Sequence, residues 1–281
     1  IGDVRDGGDR LENLEKMINA IEETQKRGVN RAEHRLHLRC ELPHHTTLPL
    51  FEKLVGREPV SLVSLMDHSP GQRQFANIEK YREYYQGKYS LSDAEMARYE
   101  EEQLALAAQW SQPNRLRIAA MCRDRNIALA SHDDATHDHV RESHQLGSVI
   151  AEFPTTFEAA EASRRHGMNV LMGAPNIVRG GSHSGNVAAS ELAQLGLLDI
   201  LSSDYYPASL LDAAFRVADD ESNSFTLPQA IRLVTKNPAS ALNLQDRGEI
   251  AEGKRADLVL AHRKGEHVHI DHVWRQGKRV F

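Results

Sequence analysis

The chain has 281 residues, 40% of them hydrophobic and 26% charged, with a net charge of −6. This is a globular balance. No apolar run approaches the ~20 residues of a membrane span, no basic stretch leading into an apolar one marks an export signal, and interspersed charges with an acidic excess exclude a nucleic-acid footprint or a membrane surface. Two cysteines, Cys40 and Cys122, make no disulfide framework, so a reducing cytoplasm is the expected location. Fifteen histidines are more than an average composition supplies, and several stand beside Asp or at the ends of apolar runs.

The chain opens Ile1-Gly2-Asp3-Val4-Arg5, without Met, and Gly7-Gly8 follow. This reads as the loop after a strand, and a truncated chain or a fragment is expected. Leu11 to Arg27 carries Leu11, Leu14, Ile18 and Ile21 at helical spacing and ends at Gly28. Residues 34–40 alternate Leu36, Leu38 and Cys40, which predicts a strand. Thr46 to Val55 is a helix, and 60–66 is a β-rich apolar run. Residues 69–126 form a polar, helical insertion, in which Ser92 and Glu95 make a capping box. Its tyrosines Tyr81, Tyr84 and Tyr85 suit either helix packing or a lid. Then follow a strand at 127–131, a helix from His137 to Gln145, and a strand at 148–153. A second capping box at Thr155 and Glu158 opens a helix that stops at Gly167. A strand at 169–172, a helix from Val187 to Leu195, a strand at 199–203 and a helix from Leu227 to Lys236 complete the rhythm.

Short apolar strands alternating with helices imply an α/β fold with a parallel sheet. Six strands fit a TIM-type (β/α)8 barrel lacking its first strands, over residues 1–244. An open doubly wound sheet is the competing architecture, weakened because no Gly-rich dinucleotide loop follows any strand. Residues 245–281 read as a small antiparallel β appendage with its turn at Gln276-Gly277.

In a parallel barrel the C-terminal strand ends hold the active site. Those ends carry Glu41, His68, His132 and Asp204. Two imidazoles and two carboxylates are ligand types for one or two divalent ions of zinc, manganese or iron. Any one of them alone is an ordinary hydrogen-bonded loop residue; four in series point to a metal site. Asp204 is expected to accept the proton of an attacking water. Asp133 and Asp134 are expected to orient ligands from behind, and Cys40 to be a core thiol.

The order of these residues resembles the amidohydrolase superfamily: RLHLRCEL, LMDHSPGQ, ALASHDD and ILSSDYYP, then NPASALNL and RGEIAEGKRADLVL towards the C-terminus. The resemblance implies a barrel beside a β-sandwich, of which residues 245–281 are a remnant. It also implies first ligands in an H-x-H or similar motif after the first strand, and no such motif stands in that place here. In that superfamily the two single histidines commonly follow strands five and six. Counting back from Asp204 as strand eight puts His68 on strand four and His132 on strand five. Either one strand lies outside the barrel or the earlier positions are used.

A narrower resemblance spans nearly the whole chain. IGDVRDGGDRLENL, LPHHTTL, MDHSPGQRQF, ASHDDAT and GAPNIVRGGSHSGNVAASEL look like the phosphonate-metabolism protein M family. It implies hydrolysis of alpha-D-ribose 1-methylphosphonate 5-triphosphate to the 5-phosphate and pyrophosphate, within the carbon–phosphorus lyase pathway. A phosphorylated ribose is then the small-molecule partner, and a homo-oligomer stays open. Arg179, Gly180, Gly181, Ser182 and His183, with Arg73, are the expected phosphate-binding residues, as a cation plus flexible amides before a helix. Two rivals remain: a hydrolase of C–N bonds, and an inactive fragment or scaffolding partner in a carbon–phosphorus lyase assembly.

Overall fold

The computed structural model describes residues 1, 9–182, 185–265 and 267–281, with side chains described from residue 13 in the first helix. That helix, α1 (Asp9–Lys26), precedes six parallel strands: β1 (Leu36–Glu41), β2 (Val60–Met66), β3 (Ala128–His132), β4 (Ile150–Glu152), β5 (Asn169–Gly173) and β6 (Ile200–Ser202). They lie side by side in chain order. Every adjacent pair is parallel, so each connection must cross back outside the sheet. The crossovers carry α2 (Thr47–Leu54), α3 (Ile78–Tyr89), α4 (Asp93–Asp124), α5 (His137–Gln145), α6 (Phe157–Arg165), α7 (Ala174–Arg179) and α8 (Ala189–Gln194). Three more helices follow β6: α9 (Ser209–Asp219), α10 (Leu227–Arg232) and α11 (Lys236–Ala241). All six expected strands are present. No ladder joins β1 to β6 among the described residues, so the architecture shown is an α/β parallel sheet, not a closed barrel. Among the described residues the outer edge of β1 is met by Ile1, whose carbonyl accepts from Glu41 N at 2.8 Å.

The core lies on the helix-covered side. Leu38 and Cys40 of β1 and Val63 and Leu65 of β2 pack with Phe51 and Leu54 of α2 and Ile118 and Cys122 of α4. Cys40 is a fully buried thiol, as expected, and burial pushes its pKa up to about 12. A second cluster joins Val170 and Met172 of β5 to Leu192, Val217 and Leu233. The tyrosines divide: Tyr81 and Tyr85 are buried with Phe75, Met96 and Tyr99, while Tyr84 is exposed.

Several boundaries differ from expectation. The α6 cap is Thr156, which accepts from Ala159 N, not Thr155. Thr155 is unavailable because its backbone bonds Asp134 O and Val187 N. The latter bond also delays α8 to Ala189. The expected helix from Leu227 to Lys236 breaks into α10 and α11. Helix α9 lies outside the expected elements although it is amphipathic, with Ser209, Ala213, Ala214 and Val217 buried at helical spacing. The capping boxes at Ser92 and Thr226 are present.

The C-terminal strands β7 (Leu258–Lys264), β8 (His267–Arg275) and β9 (Lys278–Arg279) form a separate antiparallel sheet. Val259, Leu260 and Ile270 stay exposed on it. Polar ties hold it to the rest: Val268 N to Asp212 Oδ1 at 3.0 Å, and Arg275 Nη1 to Asn30 O at 2.7 Å.

Candidate metal centre

Because the strands are parallel, their C-terminal ends share one edge of the sheet. Glu41 and His132 end β1 and β3; His68 and Asp204 each follow two residues after β2 and β6. The two histidines come together at 5.5 Å between ring centroids, nearly perpendicular. Phe75 packs edge-on to His68 and Phe153 edge-on to His132. Both rings are thus braced by an aromatic neighbour and by a carboxylate.

Glu41 stands behind His68. Its Oε1 accepts from the His68 backbone N at 3.0 Å and its Oε2 contacts Nδ1 at 2.6 Å. Glu152 stands behind His132, with Oε2 at 2.9 Å from Nδ1. A carboxylate only accepts, so in each neutral ring Nδ1 carries the hydrogen and Nε2 the lone pair. Both Nε2 atoms turn toward Asp133 Oδ2, at 3.2 Å from His132 and 3.7 Å from His68. One ligand atom from each of His68, His132 and Asp133 lies within 4.8 Å of the others. Asp133 reaches this point through a left-handed backbone, φ +55°, which Asp tolerates better than most residues.

Facing acceptor atoms repel unless a positive charge lies beside them; here the Arg39 guanidinium, with Nη2 3.0 Å from His132 Nε2, supplies one. Burial disfavours the His68 cation, yet the Glu41 carboxylate and the Asp133 contact outweigh it and raise the pKa to about 10. Burial pushes the Glu152 carboxyl up, but the His132 ring and its hydrogen bond hold it down at about 2. This donor set fits a divalent cation.

A cavity of about 220 Å³ opens beside the centre. His132, Asp133 and Asp204 line it with Arg39, Arg179, Gly181, Ser182 and Tyr205. Asp204 lies on this wall outside the three-residue group, also in a left-handed conformation at φ +49°. The Arg179 segment departs from expectation in detail. Arg179 is the last residue of α7 rather than part of a loop, and its Nη1 donates to Tyr205 Oη at 3.0 Å. The Gly180 and Gly181 amides close that helix by bonding Ile177 O and Asn176 O, so they are engaged rather than aimed at an anion. His183 lies outside the described residues.

Arg73 is placed elsewhere. It is 3% exposed, pairs with Asp134 and lies 3.0 Å from Glu142, off the cavity wall. Arg115 joins the same cluster through Glu142 at 2.8 Å and Asp67 at 3.2 Å. The expected phosphate cation is therefore a buried tie between the loops after β2 and β3, which carry His68 and Asp133. Its acids were invisible as partners because Asp134 and Glu142 lie far along the chain. Glu152 and Arg39 were missed although a signal existed. Glu152 is also a polar residue at a strand end. Arg39 stands two residues before Glu41, hence on the same face of β1.

Comparison with known proteins follows the same lines. The family model for the amidohydrolase family matches residues 12–281. The chain is 91% identical, over all of its 281 residues and 74% of the relative, to the alpha-D-ribose 1-methylphosphonate 5-triphosphate diphosphatase of Escherichia coli (strain K12). Among solved structures, a D-hydantoinase matches with a TM-score of 0.47 at 12% identity, over 98% of this chain and 74% of that one. A prolidase complexed with N-methylphosphonate-L-proline matches with a TM-score of 0.44 at 19% identity, over 59% of this chain. The chain spans 48% of that prolidase's length. With the family model covering all but the first residues and a near-identical relative across the full length, this chain belongs to the amidohydrolase family.

Proposed function

We propose that the protein is a metal-dependent hydrolase that converts alpha-D-ribose 1-methylphosphonate 5-triphosphate to the 5-phosphate and pyrophosphate. The observation that carries this reading is the 91% identity to the E. coli diphosphatase. The cavity supports it from the chain's own residues, since Arg39 and Arg179 present two guanidinium groups beside the ligand cluster. A cation next to a metal site is electrostatically costly unless the substrate is a polyanion.

His68, His132 and Asp133 would hold the ion, with Glu41 and Glu152 behind the imidazoles. One divalent ion of zinc, manganese or iron, or two, held there would supply Lewis-acid activation of a water. Asp204 accepts the proton as the water oxygen adds to phosphorus. The phosphoanhydride P–O bond breaks, and its electrons leave with pyrophosphate. Arg39 and Arg179 neutralise the charge that gathers on the phosphoryl oxygens.

In the same reading the six parallel strands are the arc of a barrel whose mouth is this cavity, and residues 245–281 are a separate β portion. The buried free thiols Cys40 and Cys122 support a reducing cytoplasm. Among the described residues no helix is long and apolar enough to cross a membrane. The test is release of pyrophosphate from the ribosyl triphosphate by metal-loaded protein. Turnover of a cyclic amide, with none of the triphosphate, would replace this reading with C–N hydrolysis.

A further inference from the structure

Glu152 stands behind His132 and ends a hydrogen-bonded column beneath the candidate metal site. The parallel register sets His132 directly opposite Glu152 on the neighbouring strand. Both side chains are buried, at 6% and 7% exposure. We propose that Glu152 is a positioning residue that locks His132 in one tautomer and one rotation, with Nε2 presented to the metal. The inference rests on the metal reading above, not on the identity of the substrate.

Each bond in the column has a determined direction. Glu152 Oε2 can only accept, so the His132 Nδ1 at 2.9 Å is the donor. On the other side of the ring, Arg39 Nη2 lies 3.0 Å from Nε2. A guanidinium only donates, so Nε2 holds the lone pair. Glu152 and Arg39 thus specify the same tautomer, and the lone pair that Arg39 engages is the one a metal would take in its place. Ser64 Oγ donates to the same Oε2 at 2.7 Å, and the Ser64 oxygen in turn lies 2.5 Å from His37 Nε2. With its hydroxyl hydrogen committed to Glu152, Ser64 accepts from His37. The column runs from His37 on β1 through Ser64 on β2 to Glu152 on β4, which meets His132 on β3. Four strands therefore fix one imidazole, which a surface-exposed acid could not achieve. Glu41 and His68 repeat the pair on β1 and after β2.

A merely structural Glu152 would stabilise the fold without selecting a ring nitrogen. Three variants separate the two: Glu152→Gln keeps an acceptor oxygen, Glu152→Met keeps bulk without a strong acceptor, and Glu152→Ala removes both. Zinc affinity is measured by chelator competition, and the His132 ring is followed by 15N NMR in the zinc-loaded protein, with His132→Gln assigning the signals. Expected is a loss of about 10–100-fold in zinc affinity for the Ala and Met variants, with Nδ1- and Nε2-bound forms coexisting. The Gln variant keeps Nε2 binding, and its Nδ1 proton resonance moves upfield because a neutral acceptor replaces a charged one. Zinc affinity within twofold of wild type and an unchanged ring spectrum in the Met or Ala variant would overturn the proposal. Should neither variant fold, an unmoved Nδ1 resonance in the Gln variant overturns it instead. Wild-type protein that binds no zinc would sink the metal reading; the ring tautomer in metal-free protein then tests the inference on its own.

Discussion

Replacing Gly173 by Ala tests Asp204 without touching it. Gly173 ends β5 and caps α7 at φ −75° and ψ 130°, a conformation open to any residue. The substitution therefore brings no backbone strain, and by trimming unfolded-state freedom it contributes about 0.4–1 kcal/mol of stability. The new Cβ would lie 3.2 Å from Asp204 Oδ2 and 3.5 Å from Asp204 Cβ. An ordinary contact needs a few tenths of an ångström more. Asp204 must supply them, because the third neighbour, Pro175 Cδ, is already at 3.6 Å and sits in a rigid ring. Misplacing a reacting group by about 1 Å costs on the order of 100-fold, so a shift of a few tenths costs roughly 3–10-fold in kcat. KM should change little, since the arginines across the cavity are untouched. The assay is steady-state pyrophosphate release, with a thermal melt as control. A variant that melts within about 3 °C of wild type yet keeps full kcat would refute the assignment of Asp204 as the proton acceptor.

Three further outcomes follow from the charged residues. Arg73→Ala leaves the buried Asp134 without its cation, while Glu142 keeps Arg115, which should cost roughly 3–5 kcal/mol in urea unfolding; a loss below about 1 kcal/mol would show the cluster to be solvated. Burial opposes the Glu33 charge, but hydrogen bonds from Arg255 and Arg247 outweigh it and lower the pKa from 4.5 to about 2. A depressed carboxylate pKa stabilises above pH 4.5 and loses that contribution as pH falls toward 2. Screened by solvent at its partly exposed site, it is worth on the order of 1 kcal/mol, so the stability gap between wild type and Glu33→Gln should be widest near neutrality and shrink below pH 4.5; a constant gap contradicts the linkage. Finally, Arg39→Gln and Arg179→Gln should each weaken inorganic tripolyphosphate binding by about 10-fold, with a shallower salt dependence; equal affinity at low salt would remove these side chains from the phosphate path.

The strands were legible because each is a short apolar run closed by a polar residue, and strand ends at one edge were enough to name Glu41, His68, His132 and Asp204. What a strand end does not disclose is which of two adjacent polar residues turns inward. His132 and Asp133 differ by one position, and only the left-handed φ of Asp133 returns its carboxylate to the histidines. Glu41 was read as a ligand, whereas both its oxygens are occupied by His68. Periodicity has no means of telling a ligand from the group that holds it. Arg73 read as a free cation for phosphate because its acids come from the far side of β3. Helix α7 is short and buries only Ala174 and Pro175, which leaves little periodicity to detect, whereas α9 does carry a helical apolar pattern, with Ser209, Ala213, Ala214 and Val217 buried on one face, and its signal was there to be read.

The left-handed residues carry a consequence for engineering. Arg73, Asp133, Phe153 and Asp204 all hold positive φ, at +43°, +55°, +57° and +49°, and all lie at the sheet edge bearing the ligands or in the loops beside it. Ser90, Asn126 and Gln276 hold the same conformation away from it. Glycine relieves such strain at about 1 kcal/mol per site. At the second group the change raises heat tolerance with turnover intact. At Asp133, Phe153 and Asp204 it removes a side chain that lines the cavity, and at Arg73 it breaks the buried tie to Asp134 and Glu142. Selection for thermostability alone would therefore drift toward a hardier protein with a blunted cavity, and a stabilised catalyst calls for glycines confined to the remote set.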